Sequence, residues 1–451
     1  MSSFANQRPR MTAMMQALCA GLLLQGGAAS ALNLQQAYDA ALRNDPTYRS
    51  AYQDSVSGAE YKNLGRSNLL PQISASYSAN KNRADLTQPT FGGGESTTHP
   101  VYYSHSSGVQ LRQTLFNLDA LARYKQGVAQ SQYAESQFSS MGQDLVVRLA
   151  GTYFDAALSS EQVALATAQR EAQMAQMLGN QRLLEKGEGT RTDVLESQAR
   201  LQLTEAQLIE ALDNQRTSLA ALEAIVGEPV PAVELLGNVF TLRPLQPAVL
   251  AEWEKIALER NPDLQTQRFA IEAGRQEVNK NRAGHAPRVD MVAGYNKSKS
   301  DTLTTLNQDS TSRSIGVQVS IPLYSGGAVS ASTRQAAAGL EKAKSDMDLK
   351  TSKVMVELGK EYRLVNSSVA RIAALERAVE SAQLLIKATE QSIKGGVRIN
   401  IDLLNAQQQF YSSKRDLAQA RYTYLQALLR LRAAAGTLGA DDVQEAASYF
   451  R

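Results

Sequence analysis

The sequence predicts a mixed α+β membrane protein, built of long coiled-coil helical hairpins and two β-hairpins per chain. Three observations carry that expectation. The chain is an internal duplication, each copy holds a long proline-free helical stretch, and each copy also holds one pair of strands with a single apolar face.

The duplication is read from ordered motifs. Ala41-Leu42-Arg43-Asn44-Asp45-Pro46 is answered by Ala257-Leu258-Glu259-Arg260-Asn261-Pro262, and Leu69-Leu70-Pro71-Gln72-Ile73 by His285-Ala286-Pro287-Arg288-Val289, both 216 residues on (46 to 262, 71 to 287). Gly108-Val109-Gln110-Leu111 returns as Gly316-Val317-Gln318-Val319. Thr192-Asp193-Val194-Leu195 returns as Ile401-Asp402-Leu403-Leu404, with Gly227 and Gly436 closing the matching segments (193 to 402 and 227 to 436 are both 209 residues). The period is far longer than that of a solenoid array, so each copy is a whole supersecondary unit. The division expected is residues 32–227 and 251–436 for the repeats, with 228–250 between them and 437–451 after them.

Residues 1–31 read as a secretory signal peptide. Arg8 and Arg10 give the positive region, Met14 to Leu24 the apolar core, and Ala29-Ser30-Ala31 the cleavage site. The apolar run is too short to span a bilayer as a helix. The single cysteine, Cys19, falls inside the leader, and Gln16-Ala17-Leu18 ahead of it lacks the small residue that precedes a lipidated cysteine. The mature chain is therefore expected outside the cytoplasm, not lipidated and without thiol chemistry. Taking Arg8 and Arg10 from the 47 Lys and Arg leaves a near balance with 44 Asp and Glu, so there is no electrostatic case for nucleic acid. No later stretch is apolar enough for a membrane-spanning helix, so any spanning must be by strands.

Helices are expected over Leu34 to Ser67 and Leu250 to Ala283, each stopped ahead of Pro71 or Pro287. Ala122 to Leu184 and Ala331 to Ile393 contain no proline, and each would be on the order of 95 Å long. Shorter helices follow, Thr192 to Val226 and Ile401 to Ala435. In the last, Leu403, Phe410, Leu417, Tyr424 and Leu431 stand seven apart; in the first copy Val194, Leu201, Leu208 and Leu222 do the same, with Gln215 as the polar interruption. A sustained seven-residue period makes helices supercoil. The turns joining long to short helices carry Gly187 and Gly189 in one copy and Gly395 and Gly396 in the other, with Thr192 and Asn400 expected to cap the helices that follow.

The β-hairpins are expected at 73–116 and 289–324. Ile315, Val317, Val319, Ile321 and Leu323 alternate with small or polar residues, giving one apolar and one polar face. One hairpin per copy cannot bury such a face in a soluble sandwich, whereas lipid can accept it, and Tyr77, Tyr102, Tyr103, Tyr295 and Tyr324 suit an interfacial girdle. A soluble β-domain capping a coiled coil is the other arrangement compatible with this pattern. The tips, Leu86 to Val101 and Thr302 to Thr311, read as exposed polar loops. Four strands cannot close a barrel and open edges are not tolerated in lipid. Two chains would give eight strands and a filled bore; three would give twelve and an aqueous lumen, with the duplication making the trimer quasi-six-fold.

His99, His105 and His285 show no metal-ligand spacing, and no activated serine or cysteine arrangement is present, so neither catalysis nor a cofactor is expected. A pore-free periplasmic coiled-coil adaptor or structural protein is the rival class. It would have no use for two alternating hairpins.

With the Asn-Asp-Pro and Arg-Asn-Pro helix motifs, the strand-opening prolines, Ile321-Pro322-Leu323-Tyr324-Ser325-Gly326-Gly327 and the glycine turns before Asp193 and Asp402, the chain resembles the TolC family of bacterial outer-membrane export channels. The resemblance covers essentially the whole mature sequence. It implies a homotrimer with a twelve-stranded barrel in the outer membrane of a Gram-negative bacterium, and a periplasmic α-barrel. An equatorial belt would come from about Glu228 to Pro247 and Thr437 to Arg451. It implies work with an inner-membrane ABC or RND-type transporter and a periplasmic adaptor docking on the hairpin tips, for type I protein secretion, multidrug efflux or both; the unlipidated chain resembles the secretion branch. It also implies a periplasmic gate. Arg398 matches the family's linking arginine, Thr192 and Asp193 its acceptors, and Asp402 the first aspartate of a constriction ring. Asn405 stands where a second aspartate is found, and Ile393 where a linking tyrosine is found. Near helix N-termini, Asp193 and Asp402 also suit plain capping.

Overall fold

The computed structural model describes residues 31–237, 240–300 and 308–451. Residues 1–30 of the expected signal peptide, Cys19 among them, and most of the second hairpin tip lie outside the described residues.

The same series of elements occurs twice. The first copy runs α1 (Leu34–Asn44), α2 (Pro46–Ser67), β1 (Gln72–Arg83), β2 (Leu86–Pro89), β3 (Glu95–Thr98), β4 (Val101–Phe116), α3 (Leu118–Glu185) and α4 (Arg191–Val226). The second runs α5 (Leu250–Arg260), α6 (Pro262–Arg282), a 3-10 turn, β5 (Arg288–Ser300), β6 (Gln308–Ser320), α7 (Ala328–Lys394) and α8 (Asn400–Ala435); α9 (Ala440–Ala447) closes the chain.

Two helices expected to be continuous are each broken. Pro46 and Pro262 have no N–H to donate and exclude the preceding residue from helical geometry. Asp45 and Asn261 therefore leave the helix and cap the next one, accepting from the backbone N–H of Thr47 at 2.8 Å and of Leu264 at 3.1 Å. Asp45 is buried and paired with Arg148 of α3. Asn44 donates to the Val226 carbonyl at 2.8 Å and Asn261 to that of Ala434 at 2.9 Å. The repeated motif thus ties each helix break to the end of the short helix in its own copy.

The long helices contain 68 and 67 residues, about 100 Å each at ~1.5 Å per residue. Each packs along its short partner, α3 on α4 and α7 on α8, and α8 also lies against α3. The heptad residues face these seams: Leu403, Tyr424, Leu431 and Leu222 are buried, while Phe410, Leu417, Val194, Leu201 and Leu208 are half-buried. Gln215, the polar interruption, donates to Ser160 Oγ at 3.0 Å.

β1, β4, β5 and β6 form one antiparallel sheet in that order. In register, Ile73, Leu111, Ala293 and Ile315 make one row, Met291 and Val317 another, Val289 and Val319 a third. The opposite face carries Ser74, Gln110, Gly294 and Ser314 in one row and Ser76, Gly108, Asn296 and Ser312 in the next. Tyr102, expected in the aromatic girdle, instead pairs with Asn82 on the polar face, while Tyr77, Tyr103 and Tyr295 share the apolar one. The first tip is not the open loop expected: β2 and β3 pair from Leu86–Thr98 to Pro89–Glu95, extending the hairpin as a second ladder. Strand β6 ends at Ser320, and Ile321 to Ser325 are irregular.

The core sits where both copies' helices meet the C-terminal segment. Phe450 stacks on Phe154 at 5.6 Å and meets Tyr153 edge-on at 5.3 Å. Tyr153 donates to the Leu32 carbonyl at 2.9 Å, beside the bridge between Leu32 and Val233. Arg432 pairs with Asp442 and, at 2.7 Å, with Glu445 of α9, and Arg243 reaches Glu445 at 2.9 Å. Burial alone would push the Glu445 carboxyl up, but the two guanidiniums overcome it and hold it below the ordinary glutamate value.

Candidate functional site at the hairpin tips and strand faces

At the first tip, α3 runs out at Glu185 and the chain turns through Gly187 at φ +79°. At the second, α7 ends at Lys394 and Gly396 takes φ +72°. L side chains rarely adopt that backbone, which accounts for the glycines there. Gly189 serves differently, since an added Cβ would stand 3.1 Å from the Leu183 Cβ. Gly395 has φ −82° and needs no such freedom.

Neither expected cap is one. Thr190, not Thr192, caps α4: its hydroxyl accepts from Asp193 N–H at 3.1 Å, and the Asp193 carboxylate accepts from Thr190 N–H at 3.2 Å and from its hydroxyl at 2.6 Å. Reciprocal satisfaction of two otherwise unpaired donors favours this register. Thr192 lies exposed one residue inside the helix. Asn400 is the first residue of α8 rather than its cap, and its side chain accepts from Gln176 of α3 at 2.6 Å.

Arg398 is exposed, and its guanidinium makes no ion pair among the described residues. Asp402 lies in the first turn of α8, where the helix N-terminus favours a carboxylate. Asn405 accepts from Arg200 of α4 at 3.2 Å, so the two short helices are linked within one chain.

A polar seam that the sequence reading missed lies just above the tips. Gln169 donates to Gln408 and Gln173 to Gln407, both at 3.0 Å, and Asn180 donates to Ser197 at 3.2 Å. Gln169, Gln173 and Gln176 follow an i, i+4, i+7 spacing, a helical-face signal available in the sequence. The seam is uncharged, so it holds neighbouring hairpins by directional bonds.

At the end of the sheet nearest the helices, Asp290 on the polar face accepts from Arg112 Nη2 at 2.5 Å, and Arg288 Nε lies 3.1 Å from the same oxygen. The remaining polar-face positions paired across the four strands are Ser, Gly, Gln, Asn, Thr or Tyr, with Val292 the apolar exception.

A sheet with a lipid-type face and a hydrophilic face, continued by hairpins about 100 Å long, defines an outer-membrane channel protein. The sequence matches the family described as outer membrane efflux protein over residues 37–228 and 253–437, and the chain belongs to that family. It is 42% identical to the alkaline protease secretion protein AprF of Pseudomonas aeruginosa, over 95% of this chain and 89% of that one. It is 38% identical to the proteases secretion protein PrtF of Dickeya chrysanthemi, over 95% and 94%. The outer membrane protein TolC of Vibrio cholerae is 28% identical over 92% of each chain. Among solved structures the fold matches CusC with a TM-score of 0.78, at 18% identity over 90% of this chain and 92% of that one. The outer membrane protein VceC of Vibrio cholerae gives 0.77 at 17% identity, over 89% and 96%. The chain is thus an outer-membrane protein of the Gram-negative envelope that extends into the periplasm, from a family of channels rather than enzymes. The rival class, a pore-free adaptor or structural coiled coil, finds no support.

Proposed function

We propose that three copies close a twelve-stranded barrel continued by a periplasmic α-barrel, forming the outer-membrane duct of a type I protein secretion system. The 42% identity to a protease secretion protein over nearly the full length carries the secretion assignment. The sheet supports the closure: β1 and β6 are its free edges, and lipid does not tolerate unpaired edges. Residues 32–227 and 251–436 act as two quasi-equivalent halves, so three chains present six hairpins to a ring. An inner-membrane ABC transporter supplies the energy. A periplasmic adaptor docks on the tips at Gly187, Gly189, Gly395 and Gly396, and Arg398, Thr192, Asp193, Asp402 and Asn405 line the gate. A relative named for solvent efflux lies further off, at 24% identity.

The experiment is deletion of the chain in its host, with extracellular polypeptides and drug susceptibility read side by side. Loss of secreted polypeptide at unchanged susceptibility is the expected result. The opposite pattern transfers the assignment to small-molecule efflux.

A further inference from the structure

On β5 and β6 the outward face of the sheet is apolar only at its helix-proximal end, while β1 and β4 keep Val109, Ala79 and Val101 further along it. Beyond the rows of Ile315 and Val317, the same face carries Arg313 and Tyr295, then Lys297, then Lys299 and His105, then Lys81, with Arg83 last. Against five lysines and arginines the outward strand positions offer one acid, Asp309. All five cations are exposed, and none makes an ion pair among the described residues. Two stand over interfacial rings, Arg313 at 5.7 Å from the Tyr295 centroid and Lys81 at 5.6 Å from that of Tyr103.

The height of Lys297 matches a headgroup layer. Nine residues separate Ser320, the end of β6, from Thr311, the partner of Lys297; at ~3.4 Å per residue and a tilt of ~40° this is about 23 Å, close to the ~25 Å apolar band of outer-membrane barrels. The cations lie on the side away from every helix, which is the extracellular side. The outer leaflet there is made of phosphorylated glycolipid.

The geometry points to a lipopolysaccharide-binding belt, in which Lys297, Lys299 and Arg313, with Lys81 and Arg83 at the sheet's other edge, hold the lipid A phosphates. This rests on the closed barrel proposed above, which brings β6 of one protomer beside β1 of the next and joins the two groups of cations. Guanidinium and ammonium groups beside an apolar wall bind a phosphate while the acyl chains cover the valines below. Arg313 lies one row lower than Lys297 with its guanidinium over the Tyr295 ring, and an arginine side chain is long enough to carry its charge to the layer above.

The test is native mass spectrometry of the detergent-released trimer, given bisphosphorylated lipid A, dephosphorylated lipid A or phosphatidylglycerol. Bisphosphorylated lipid A should be retained on the order of tenfold more than the other two. The triple variant Lys297→Ser, Lys299→Ser, Arg313→Ser should lose that excess, and the distant helix variant Lys342→Ser should keep it. Equal retention of the three lipids by the wild-type trimer overturns the belt without needing any variant, as does undiminished lipid A binding by the triple variant. The same spectrum gives the assembly mass, so a chain that never reaches the trimer refutes the barrel, whereas a trimer indifferent to phosphate refutes only the belt.

Discussion

The Asp290 carboxylate accepts from Arg112 through both Nε, at 3.1 Å, and Nη2, at 2.5 Å, and this pair joins the two β-hairpins of the chain. Arg112 belongs to β4 and Asp290 to β5, the one strand pairing that crosses from the first copy to the second. The carboxylate side chain is 3% exposed and the arginine 40%. A bulge between Thr114 and Phe116 interrupts the ladder just beyond, before its last pair, Phe116 with Val289. The ion pair therefore marks where the wall of strands hands over to the wall of helices.

Removing the carboxylate should cost more than removing either arginine. Asp290→Ala leaves two guanidiniums facing each other without their shared anion, and losing one partner of a buried pair costs about 3–5 kcal/mol. Arg112→Ala leaves Arg288 in place and removes a group that is partly in solvent, so about 1–2 kcal/mol is expected. Thermal stability of the detergent-solubilised assembly measures both. An equal loss for the two variants would contradict the shared-anion arrangement.

The two faces of β6 make opposite demands. Val317 and Val319 lie on the apolar face, so Val317→Arg should cost roughly 2–4 kcal/mol of barrel stability if it sits near the bilayer midplane. Ser320 pairs with Arg288 on the polar face. Ser320→Arg should leave assembly intact and change single-channel conductance. Equal tolerance on both faces would contradict the inside and outside assigned here.

Much of this architecture was legible because the signals were periodic. The seven-residue spacing through Leu403, Tyr424 and Leu431 and the two-residue alternation through Ile315, Val317 and Val319 each name a face without tertiary information. The breaks at Asp45 and Asn261 were available in principle from Pro46 and Pro262, but continuous helical composition on both sides hid them. The Thr190 cap was missed because Thr192 stands directly before Asp193, while hydrogen-bond geometry selects the residue three before Asp193. Tyr102 differs from Tyr103 only in strand phase, which register sets and composition does not. The link from Arg200 to Asn405 joins helices 205 residues apart, and no local pattern encodes it.

Acid should loosen the C-terminal clasp. Burial raises the Glu445 pKa, but the hydrogen bond and charge of Arg432, with Arg243, outweigh it and leave the group below its ordinary 4.5. A carboxylate with a depressed folded pKa contributes stability above the unfolded value, and that contribution disappears as pH falls from about 4.5 through the folded pKa. Unfolding stability should therefore drop on acidification through that window. In Glu445→Gln the drop should be smaller, and neutral-pH stability should already be reduced. An identical pH slope in the variant would remove Glu445 from the explanation.

At the proposed gate Asn405 already has a partner in Arg200. Arg398 is exposed and makes no ion pair among the described residues, so in the proposed assembly it can reach Thr192 or Asp193 of a neighbouring hairpin. Asp193 is already engaged with Thr190, which leaves one carboxylate oxygen for such a link. Exposed ion pairs contribute only ~0.2–1 kcal/mol each, so closure of the proposed trimer would depend on threefold repetition. Arg398→Ser should raise single-channel conductance in planar bilayers, and Asp402→Ala should weaken block by divalent cations from the periplasmic side. Adding a carboxylate at position 405 should not strengthen that block by itself, because Arg200 Nη2 lies 3.2 Å from the Asn405 oxygen and would neutralise the new charge. Asn405→Asp alone is thus expected to leave cation block nearly unchanged, and Asn405→Asp with Arg200→Ser to increase it. If the single substitution strengthens block as much as the double one, Arg200 does not reach this position in the assembled channel. If neither does, and Arg398→Ser leaves conductance unchanged, the constriction lies elsewhere in the tunnel.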